Sequence, residues 1–358
     1  MSAQLTKVTK TGSVSLLKKV SDVLHQVARV DPRDRYCLVY PDADRAFIGM
    51  GFKLLNIPAS EKVYQSSSEL VKKDLLKLCL GGSPSELFGS IENRNLATYV
   101  TTHATLTKLL SEKPEVEPFC KISVGIGVGF VNALVFHGAM KYEDGLELVQ
   151  YQGRAMDRAS QMIPSARIRL RIKPATSKLK VCRAAREHCL KIGIPPELAI
   201  CSVTKLIKPH SFEICGHEEA IKYLETEGLR LFEFYKIHRI RKTPQAVHTE
   251  AMRPAELFLE GYIDNKMKEN SNYLQPADDF TLYSSVTGFR LRRVERIKQD
   301  LVKYPVKPVK VEQVFHRTFT RPASLPQPST FVLWDKKTLS DLEAVNRRAA
   351  ANASLVEA

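Results

Sequence analysis

Arginine and lysine side chains are concentrated in two stretches, and their chemistry suits contact with phosphates or acidic surfaces. In the segment RIRLRIK, basic and apolar residues alternate, which predicts a strand with one buried face and one cationic face. The guanidinium fork matches phosphate geometry, so the cationic face would bind RNA or another acidic partner through Arg167, Arg169, Arg171 and Lys173. The segment GFRLRRVERIK predicts a basic helix at 290–303 and adds Arg290, Arg292, Arg293, Arg296 and Lys298.

The positive charge of this 358-residue chain is localised rather than spread. The formal net charge is +15, and residues 166–245 hold 17 basic and 8 acidic side chains. Residues 290–310 hold 8 basic and 2 acidic side chains, so the rest of the chain is neutral. A concentrated excess of this kind favours RNA, a carrier protein or a phosphorylated cofactor as partner, and a solvated basic surface is the alternative.

Other residue types exclude several classes of protein. The seven cysteines are scattered without a CxxC pair, which predicts buried thiols in a reducing compartment and no metal site. No cofactor is expected. The longest apolar run, 124–140, is interrupted by four glycines and is shorter than the roughly 20 residues of a membrane span. The first 21 residues are rich in lysine and hydroxyl side chains and lack acids, as in an organellar transit segment, or form a solvated basic N-terminus.

The elements that must position these residues follow an α/β pattern. A short buried strand is predicted at 34–40, and a second at 120–128 ends in a glycine-rich turn before an apolar helix at 130–140. Strand, sharp turn and helix in this order indicate a parallel sheet. The middle of the chain predicts a βαββαβ order, the ferredoxin-like split motif, with strands at 167–173, 198–207, 212–215 and 230–237 and helices at 179–192 and 218–227. Helices at 256–267 and 338–351 and a strand at 280–286 follow.

The segment SVGIGVGFVNALVFHGAMKYEDGLELVQYQGRAMDRA resembles the malonyl-CoA:acyl-carrier-protein transacylase family. Further blocks match in the same order along the chain, namely CGHEEAIKYLE, AVHTEAMRPA, LYSSVTG and VKPVKVEQVFH. The resemblance implies an α/β-hydrolase-like parallel-sheet core that carries an inserted ferredoxin-like subdomain.

The expected organisation combines this resemblance with the element order. Residues 31–165 and 241–340 are predicted to form the acyltransferase-like core, and 166–240 the inserted subdomain. Residues 1–30 form an N-terminal extension with transit character, and 341–358 a C-terminal helix or tail.

The family's nucleophile elbow, G-H-S-x-G-E, corresponds to the glycine turn of this chain. Such an elbow exposes one hydroxyl on a strained turn, and flanking glycines let backbone N–H groups reach the developing oxyanion. Here Gly127 stands in place of the serine, and Phe130 in place of the glutamate. Ser123 and Cys120 precede the tip within the strand, so the turn itself provides no nucleophile.

Other positions of the family motif also differ. Gln152 replaces the arginine that holds the malonyl carboxylate, which would forfeit about 2–3 kcal/mol of charge-assisted bonding. The oxyanion loop reads DADRA, with Ala43 between two aspartates that are expected to repel an anionic substrate. Asn95 and Ser285 replace a glutamine and an asparagine. His248 matches the general base, and the vestigial site is therefore expected at Gly127, His248, Phe130, Gln152, Ala43, Asn95 and Ser285.

These departures predict that the chain is not an enzyme. The main hypothesis is a catalytically inactive transacylase-like protein that acts as a structural component or assembly factor of a mitochondrial ribonucleoprotein, above all the mitoribosome, in the matrix. Its partners would be RNA and ribosomal or assembly proteins. The alternatives are a regulator that binds acyl carrier protein, and a diverged but active malonyl or acyl transferase of mitochondrial fatty-acid synthesis. A site rebuilt around Ser284, Ser285 and His248 would belong to the last of these.

Overall fold

A computed structural model describes residues 34–240, 246–322 and 324–358 of the chain. The predicted transit segment at 1–30 lies outside the described residues. Within the described ranges, no helix is both long enough and apolar enough to cross a membrane. The seven cysteines are all buried and free, as predicted.

The described strands form two sheets. In chain order they are β1 (Tyr36–Tyr40), β2 (Ile122–Gly125), β3 (Ser165–Ile172), β4 (Cys201–Lys208), β5 (Ser211–His217), β6 (Phe234–Ile240), β7 (Thr281–Tyr283), β8 (Arg290–Leu291), β9 (Val309–Lys310), β10 (Ser329–Leu333) and β11 (Ala353–Val356). The large sheet has the order β11-β10-β1-β2-β7-β8, and the small sheet has the order β6-β3-β5-β4-β9.

Helices surround both sheets. They are α1 (Pro58–Val71), α2 (Leu75–Leu80), α3 (Pro84–Gly89), α4 (Ile91–Glu112), α5 (Val116–Phe119), α6 (Gly129–Phe136), α7 (Tyr142–Ser160), α8 (Lys178–Lys191), α9 (Glu218–Thr226), α10 (Gly228–Phe232), α11 (Arg253–Glu269), α12 (Val294–Lys303), α13 (Val311–Phe319), α14 (Lys336–Val345) and α15 (Arg347–Ala350). Short 3-10 turns lie at Ala43–Arg45, Phe52–Leu54 and Glu250–Met252.

The large sheet is parallel except at its β8 edge. β1 pairs in parallel with β2 and β10, β2 pairs in parallel with β7, and β8 runs antiparallel to β7. The central strand β1 is buried on both faces from Cys37 to Tyr40, as expected for a parallel strand covered by helices. Because parallel strands end at one edge, the turns that follow β1, β2 and β7 meet there. This edge carries the candidate site.

The small sheet is mainly antiparallel and has its own core. β3 lies between β5 and β6, and α8 and α9 pack against apolar residues such as Ile168, Leu170, Phe212 and Ile214. Its outer strand β9 comes from a later part of the chain and pairs in parallel with β4. The two sheets are therefore joined through β9 as well as through the chain connections.

Several predicted boundaries differ from the structure. The strand predicted at 230–237 begins only at Phe234, because Gly228–Phe232 forms α10 and Glu233 ends it in the left-handed region. The basic helix predicted from residue 290 begins at Val294, since Arg290 and Leu291 pair with β7 as β8. The predicted terminal helix is divided into α14 and α15, and the chain then returns to the large sheet as β11.

Candidate active site at the glycine turn

The glycine turn connects β2 to α6 and has no room for a side chain at its tip. Gly127 has φ +56°, and a Cβ at this position would lie 1.9 Å from Asp42 Oδ1 and 2.8 Å from the Tyr304 hydroxyl. A Cβ on Gly125 would meet the Cα of Phe130 at 2.3 Å. The turn therefore keeps the tight shape of an elbow, while a carboxylate occupies the space beside its tip.

Asp42, which caps the 3-10 turn after β1, supplies this carboxylate. Its Oδ1 accepts hydrogen bonds from Ala43 N at 2.8 Å and from Tyr304 Oη at 3.2 Å. Its Oδ2 accepts from Lys205 Nζ at 2.8 Å, and the same ammonium donates to Asp44 Oδ2 at 2.8 Å. The expectation that the two carboxylates stand free to repel an anionic substrate is wrong, because a buried lysine from β4 binds both.

Arg45 extends this charge network to the C-terminal helix α14. Its guanidinium pairs with Asp341 and lies 3.5 Å from Asp335 Oδ2 and 3.6 Å from Asp44 Oδ1. Burial alone would raise the pKa of Asp44, but Lys205 and Arg45 together hold that pKa well below its ordinary value. Asp44 is therefore ionised at neutral pH, and the network ties the end of β1 to β4 and to α14.

His248 lies beside this network with one ring nitrogen engaged. The residue is buried and has φ +59°, which is uncommon for residues other than glycine. Its Nδ1 lies 2.8 Å from the carbonyl oxygen of Tyr304, so Nδ1–H donates and the neutral ring keeps its lone pair on Nε2. Burial is the main reason why the pKa of His248 is lowered. At neutral pH the imidazole is thus in the form that accepts a proton.

Two small cavities adjoin the turn, and the positions that the resemblance singles out line them. The smaller, of about 10 Å³, is lined by Gly127, Phe130, Gln152 and Ser285. The larger, of about 30 Å³, is lined by Ala43, Asn95 and His248. Tyr304 lines both cavities. Both are far smaller than a ligand pocket of roughly 300 Å³ or more, so an acyl group enters only if side chains move.

Gln152 offers an amide at the position where the resemblance implies a carboxylate-binding arginine. It is buried on α7 and faces the smaller cavity. Arg154, two positions later, lies on another face of α7, is more than half exposed, and its Nε lies 3.1 Å from Glu92 Oε1. Arg154 therefore does not substitute for the missing guanidinium.

Ser284 and Ser285 follow β7, and both hydroxyls are engaged. Ser285 Oγ accepts a hydrogen bond from Gly127 N at 3.3 Å. Ser284 Oγ donates to Asp300 and accepts from Val286 N at 3.0 Å. Burial raises the pKa of Asp300 to about 7. These bonds stabilise the turn after β7. Ser284 Oγ is fully engaged, whereas Ser285 Oγ only accepts a hydrogen bond and lines the smaller cavity.

The first basic segment differs from its predicted arrangement. Arg167 is buried and lines the larger cavity, and Arg169 donates to Glu213 Oε1 at 2.6 Å. Lys173 Nζ lies 3.2 Å from Glu233 Oε2 in an ion pair, and Arg171 is exposed. The prediction that these four side chains share one cationic face is wrong for Arg167, because it is buried on an inner strand that lies between β5 and β6.

The second basic set gathers at a surface cleft. This basic cleft has a volume of about 1120 Å³ and lies between α12 and the turn after β7. Its basic side chains are Arg290, Arg296, Lys298, Lys303, Lys307 and Lys310. Val286, Leu291 and Val302 add apolar surface, and Asp300 lines both this cleft and the smaller cavity. Arg292 and Arg293 are exposed just before α12.

Three residues of the site are not singled out by the sequence pattern: Lys205, Tyr304 and Arg94. Two aspartates directly after a buried strand are the signal that a buried cation is required, but that signal does not identify Lys205. Tyr304 gives no signal, because its contact with Asp42 joins positions 262 residues apart. Arg94 gives none either, because only the packing of α4 places it beside the larger cavity. In the part of the chain that the structure describes, no group of three histidine, cysteine or acidic side chains could hold a metal ion.

Comparison with known proteins identifies relatives along nearly the whole chain, although no family model matches. The chain is 30% identical over 341 residues to the probable malonyl-CoA-acyl carrier protein transacylase, mitochondrial, of Drosophila melanogaster, covering 94% of this chain and 86% of the relative. It is 31% identical over 321 residues to the malonyl-CoA-acyl carrier protein transacylase, mitochondrial, of Homo sapiens, covering 89% and 79%.

Solved structures share the fold at lower identity. The acyl-carrier-protein-S-malonyltransferase of Bartonella henselae superposes with a TM-score of 0.74 at 17% identity, covering 90% of this chain and 95% of that one. A malonyl-transacylase solved in complex with a type II PKS acyl-carrier protein gives a TM-score of 0.69 at 18% identity, covering 90% and 96%. These likenesses establish the mixed α/β fold.

These findings contradict two predictions. The curated relatives that cover most of the chain are named as transacylases, not as ribosomal or RNA-binding proteins. The prediction that the chain is not an enzyme is therefore wrong, and so is the prediction of a role in a mitochondrial ribonucleoprotein. The relatives favour the alternative of a diverged malonyl or acyl transferase.

Proposed function

Because the chain belongs to the malonyl-CoA-acyl carrier protein transacylase family, we propose that it is a diverged malonyl or acyl transferase of mitochondrial fatty-acid synthesis. The names of the relatives support both the reaction and the organelle, and the matrix is the compartment we propose. The solved complex of a related malonyl-transacylase with its carrier supports acyl carrier protein as the partner.

The proposal includes the organisation of the chain. Residues 31–165 and 241–340 form an α/β-hydrolase-like core, 166–240 an inserted ferredoxin-like subdomain, 1–30 an N-terminal extension and 341–358 a C-terminal segment. The order β6-β3-β5-β4 and the packing of α8 and α9 on this sheet support the inserted subdomain.

The observation that carries the proposed chemistry is the state of His248. Its Nδ1–H is held by the Tyr304 carbonyl at 2.8 Å, which leaves Nε2 as a base beside the glycine turn. Since Gly127 cannot form an acyl-enzyme, transfer proceeds directly between two thioesters. The thiol of the carrier attacks the malonyl carbonyl, and Nε2 takes the thiol proton. The new C–S bond forms as the bond to the coenzyme A sulfur breaks, and that sulfur receives the proton.

Substrate access requires the contacts around Asp42 to open. Tyr304 and Lys205 both bind this carboxylate, and Tyr304 lines both cavities. Movement of Tyr304 away from Asp42 would join the cavities beside Gly127. The carrier docks, in this proposal, at the basic cleft, because the cleft adjoins the smaller cavity through Asp300 and carries the positive charge that suits an acidic protein.

The test is transfer of labelled malonyl from malonyl-CoA to acyl carrier protein by the purified chain. We expect transfer with sequential kinetics and no label on the chain when the carrier is omitted. His248→Ala should lower the rate by about 10²–10⁴-fold, the usual contribution of a general base. The matched control is His210→Ala, since His210 also has a positive φ but is exposed in the turn between β4 and β5.

The outcomes separate the parts of the proposal. Covalent label on the chain would contradict direct transfer, and an unchanged rate in His248→Ala would contradict the assigned base. Binding of the carrier without any transfer would contradict the transferase proposal and leave carrier binding as the function.

A further inference from the structure

Arg94 is a buried cation with few partners of its own. It lies in the first turn of α4, is only 4% exposed, and donates one hydrogen bond, from Nε to Ser90 O at 3.4 Å. Across residues 34–240, 246–322 and 324–358, its terminal nitrogens make no hydrogen bond and no ion pair with a carboxylate. A buried charge without a direct counter-charge is strongly unfavourable, so an anion near Arg94 would be bound favourably.

The neighbouring carboxylates are already engaged by other cations. Asp42 and Asp44 both accept from Lys205, and Glu213 accepts from Arg169. The pKa of Arg94 is lowered to about 10, mainly by burial and next by the like charge of Arg167. Arg94 therefore stays protonated at neutral pH.

A second donor without an acceptor faces the same cavity. Asn95 Nδ2 is buried and has no hydrogen-bond partner among the described residues. Arg94, Asn95 and His248 line the cavity of about 30 Å³. A cavity of this size has room for a group about as large as a carboxylate, to which the Arg94 guanidinium and Asn95 Nδ2 can both donate. Asp44 Oδ1 and Glu213 Oε2 line the same cavity without a hydrogen bond, but each already lies within 4 Å of a cation, Arg45 and Arg167 respectively.

We propose that Arg94 and Asn95 bind the free carboxylate of a dicarboxylic acyl group, the role that Gln152 cannot perform. This inference rests on the proposed function and assigns two residues of its site, Arg94 and Asn95, as those that select acyl groups with a free carboxylate. The carboxylate would lie in the larger cavity, and the rest of the acyl chain would pass Tyr304 towards Gly127, where the two cavities adjoin.

The test compares equilibrium binding of malonyl-CoA and acetyl-CoA by calorimetry, apart from any turnover. We expect the intact chain to bind malonyl-CoA at least about tenfold more tightly, as for one charge-assisted contact, and Arg94→Met to bring the ratio near one. The matched control is Arg154→Met, because Arg154 is exposed and pairs with Glu92 outside the cavity, and it should keep the preference.

Thermal unfolding distinguishes a binding role from a structural one. Removing an unpaired buried charge should leave the melting temperature of Arg94→Met unchanged or higher, whereas a structural role predicts a decrease. If Arg94→Met does not fold, Asn95→Asp serves instead and should reverse the preference towards acetyl-CoA. No preference in the intact chain, or a preference that survives in these variants, would overturn the inference.

This result is separable from the proposed function. A malonyl preference that depends on Arg94, in a chain that transfers no label to the carrier, would support the inference and contradict the transferase. Transfer of label to the carrier, with a malonyl preference that does not depend on Arg94, would support the transferase and contradict the inference.

Discussion

Gly127 lies so close to the carboxylate of Asp42 that any side chain at the turn would displace it. We predict that Gly127→Ser lowers the free energy of unfolding by about 2–4 kcal/mol, because the new Cβ adds left-handed strain and disturbs the bond between Asp42 and Lys205. Chemical denaturation measures this change. Incubation with labelled malonyl-CoA should give no acyl-serine, since the oxyanion loop that the resemblance implies reads Asp42-Ala43-Asp44 in this chain.

The control for this prediction is Gly138→Ser. Gly138 also has a positive φ, +71°, but nothing lies within 4 Å of its Cβ position. Gly138→Ser should lower the free energy of unfolding by only about 1 kcal/mol, the cost of holding a residue other than glycine at a positive φ. Equal losses at the two glycines, or robust turnover by Gly127→Ser, would show that Asp42 does not block the turn.

Asp300 should make stability depend on pH. Its pKa in the folded chain is about 7, above the ordinary value of 3.8, so between these values the folded state keeps a proton that the unfolded chain has lost. The free energy of unfolding therefore falls as pH rises through this window, by about 2–3 kcal/mol between pH 5 and pH 8. Asp300→Asn cannot ionise and should remove this decline, as measured by urea unfolding at both pH values.

Asp279→Asn is the matched control, since Asp279 is exposed just before β7. It should keep the decline of the parent chain. If the free energy of unfolding of Asp300→Asn declined between pH 5 and pH 8 as steeply as that of the parent chain, Asp300 would have to be ionised in the folded chain already at pH 5.

At the scale of elements, Lys205 joins β4 of the small sheet to the turn after β1 of the large sheet. It is 3% exposed, and its partners Asp42 and Asp44 are 163 and 161 residues away in the chain. Arg45 then connects the same turn to α14 through Asp341. These contacts hold the two sheets in one relative position and keep the glycine turn covered.

We predict that Lys205→Met destabilises the chain by about 3–5 kcal/mol, because it leaves two buried carboxylates without their main partner. Thermal and urea unfolding measure the loss. Lys236→Met, at an exposed position of β6 in the same sheet, should change stability by no more than about 0.5 kcal/mol. Adding Asp42→Asn to Lys205→Met should recover part of the loss, and the absence of any recovery would contradict direct coupling.

At the scale of the whole molecule, positive charge is divided unequally between two regions. The basic side chains of β3 largely face inward or pair with acids, whereas those near α12 line an open cleft. In the described part of the chain, Lys307 and Lys310 form no ion pair with a carboxylate. Lys307 and Lys310 therefore give the cleft positive charge that no carboxylate among the described residues neutralises.

We predict that Lys307→Glu combined with Lys310→Glu weakens binding of acyl carrier protein by roughly three- to tenfold, mainly through slower association. Surface plasmon resonance at two salt concentrations measures this, and the variant should also show the weaker salt dependence. Arg183→Glu, at an exposed position on α8, is the control. A larger effect at Arg183 than at the cleft would place carrier docking on the small sheet.

The family and the order of elements could be predicted from the sequence because they rest on local patterns. The glycine turn, the apolar strands and the βαββ order depend on neighbouring residues, and most predicted strands lie where the structure has them. The absence of a hydroxyl or thiol at the tip of the glycine turn, Gly127, can also be read from the sequence. The environment of the basic side chains could not be predicted in the same way, because composition gives their charge but not the direction in which each one points. Arg167 is buried, whereas Arg296 is exposed.

The sequence by itself determined the mixed α/β fold of the transacylase family and a turn without a nucleophile, and it singled out His248 as the position where the resemblance implies a base. Only the tertiary structure decided what occupies the space beside that turn. Asp42, Lys205 and Tyr304 meet there from positions up to 262 residues apart, and Arg94 faces the adjoining cavity. Contacts of this kind depend on how two sheets pack, and buried charges select their partners from whatever that packing brings within hydrogen-bond distance.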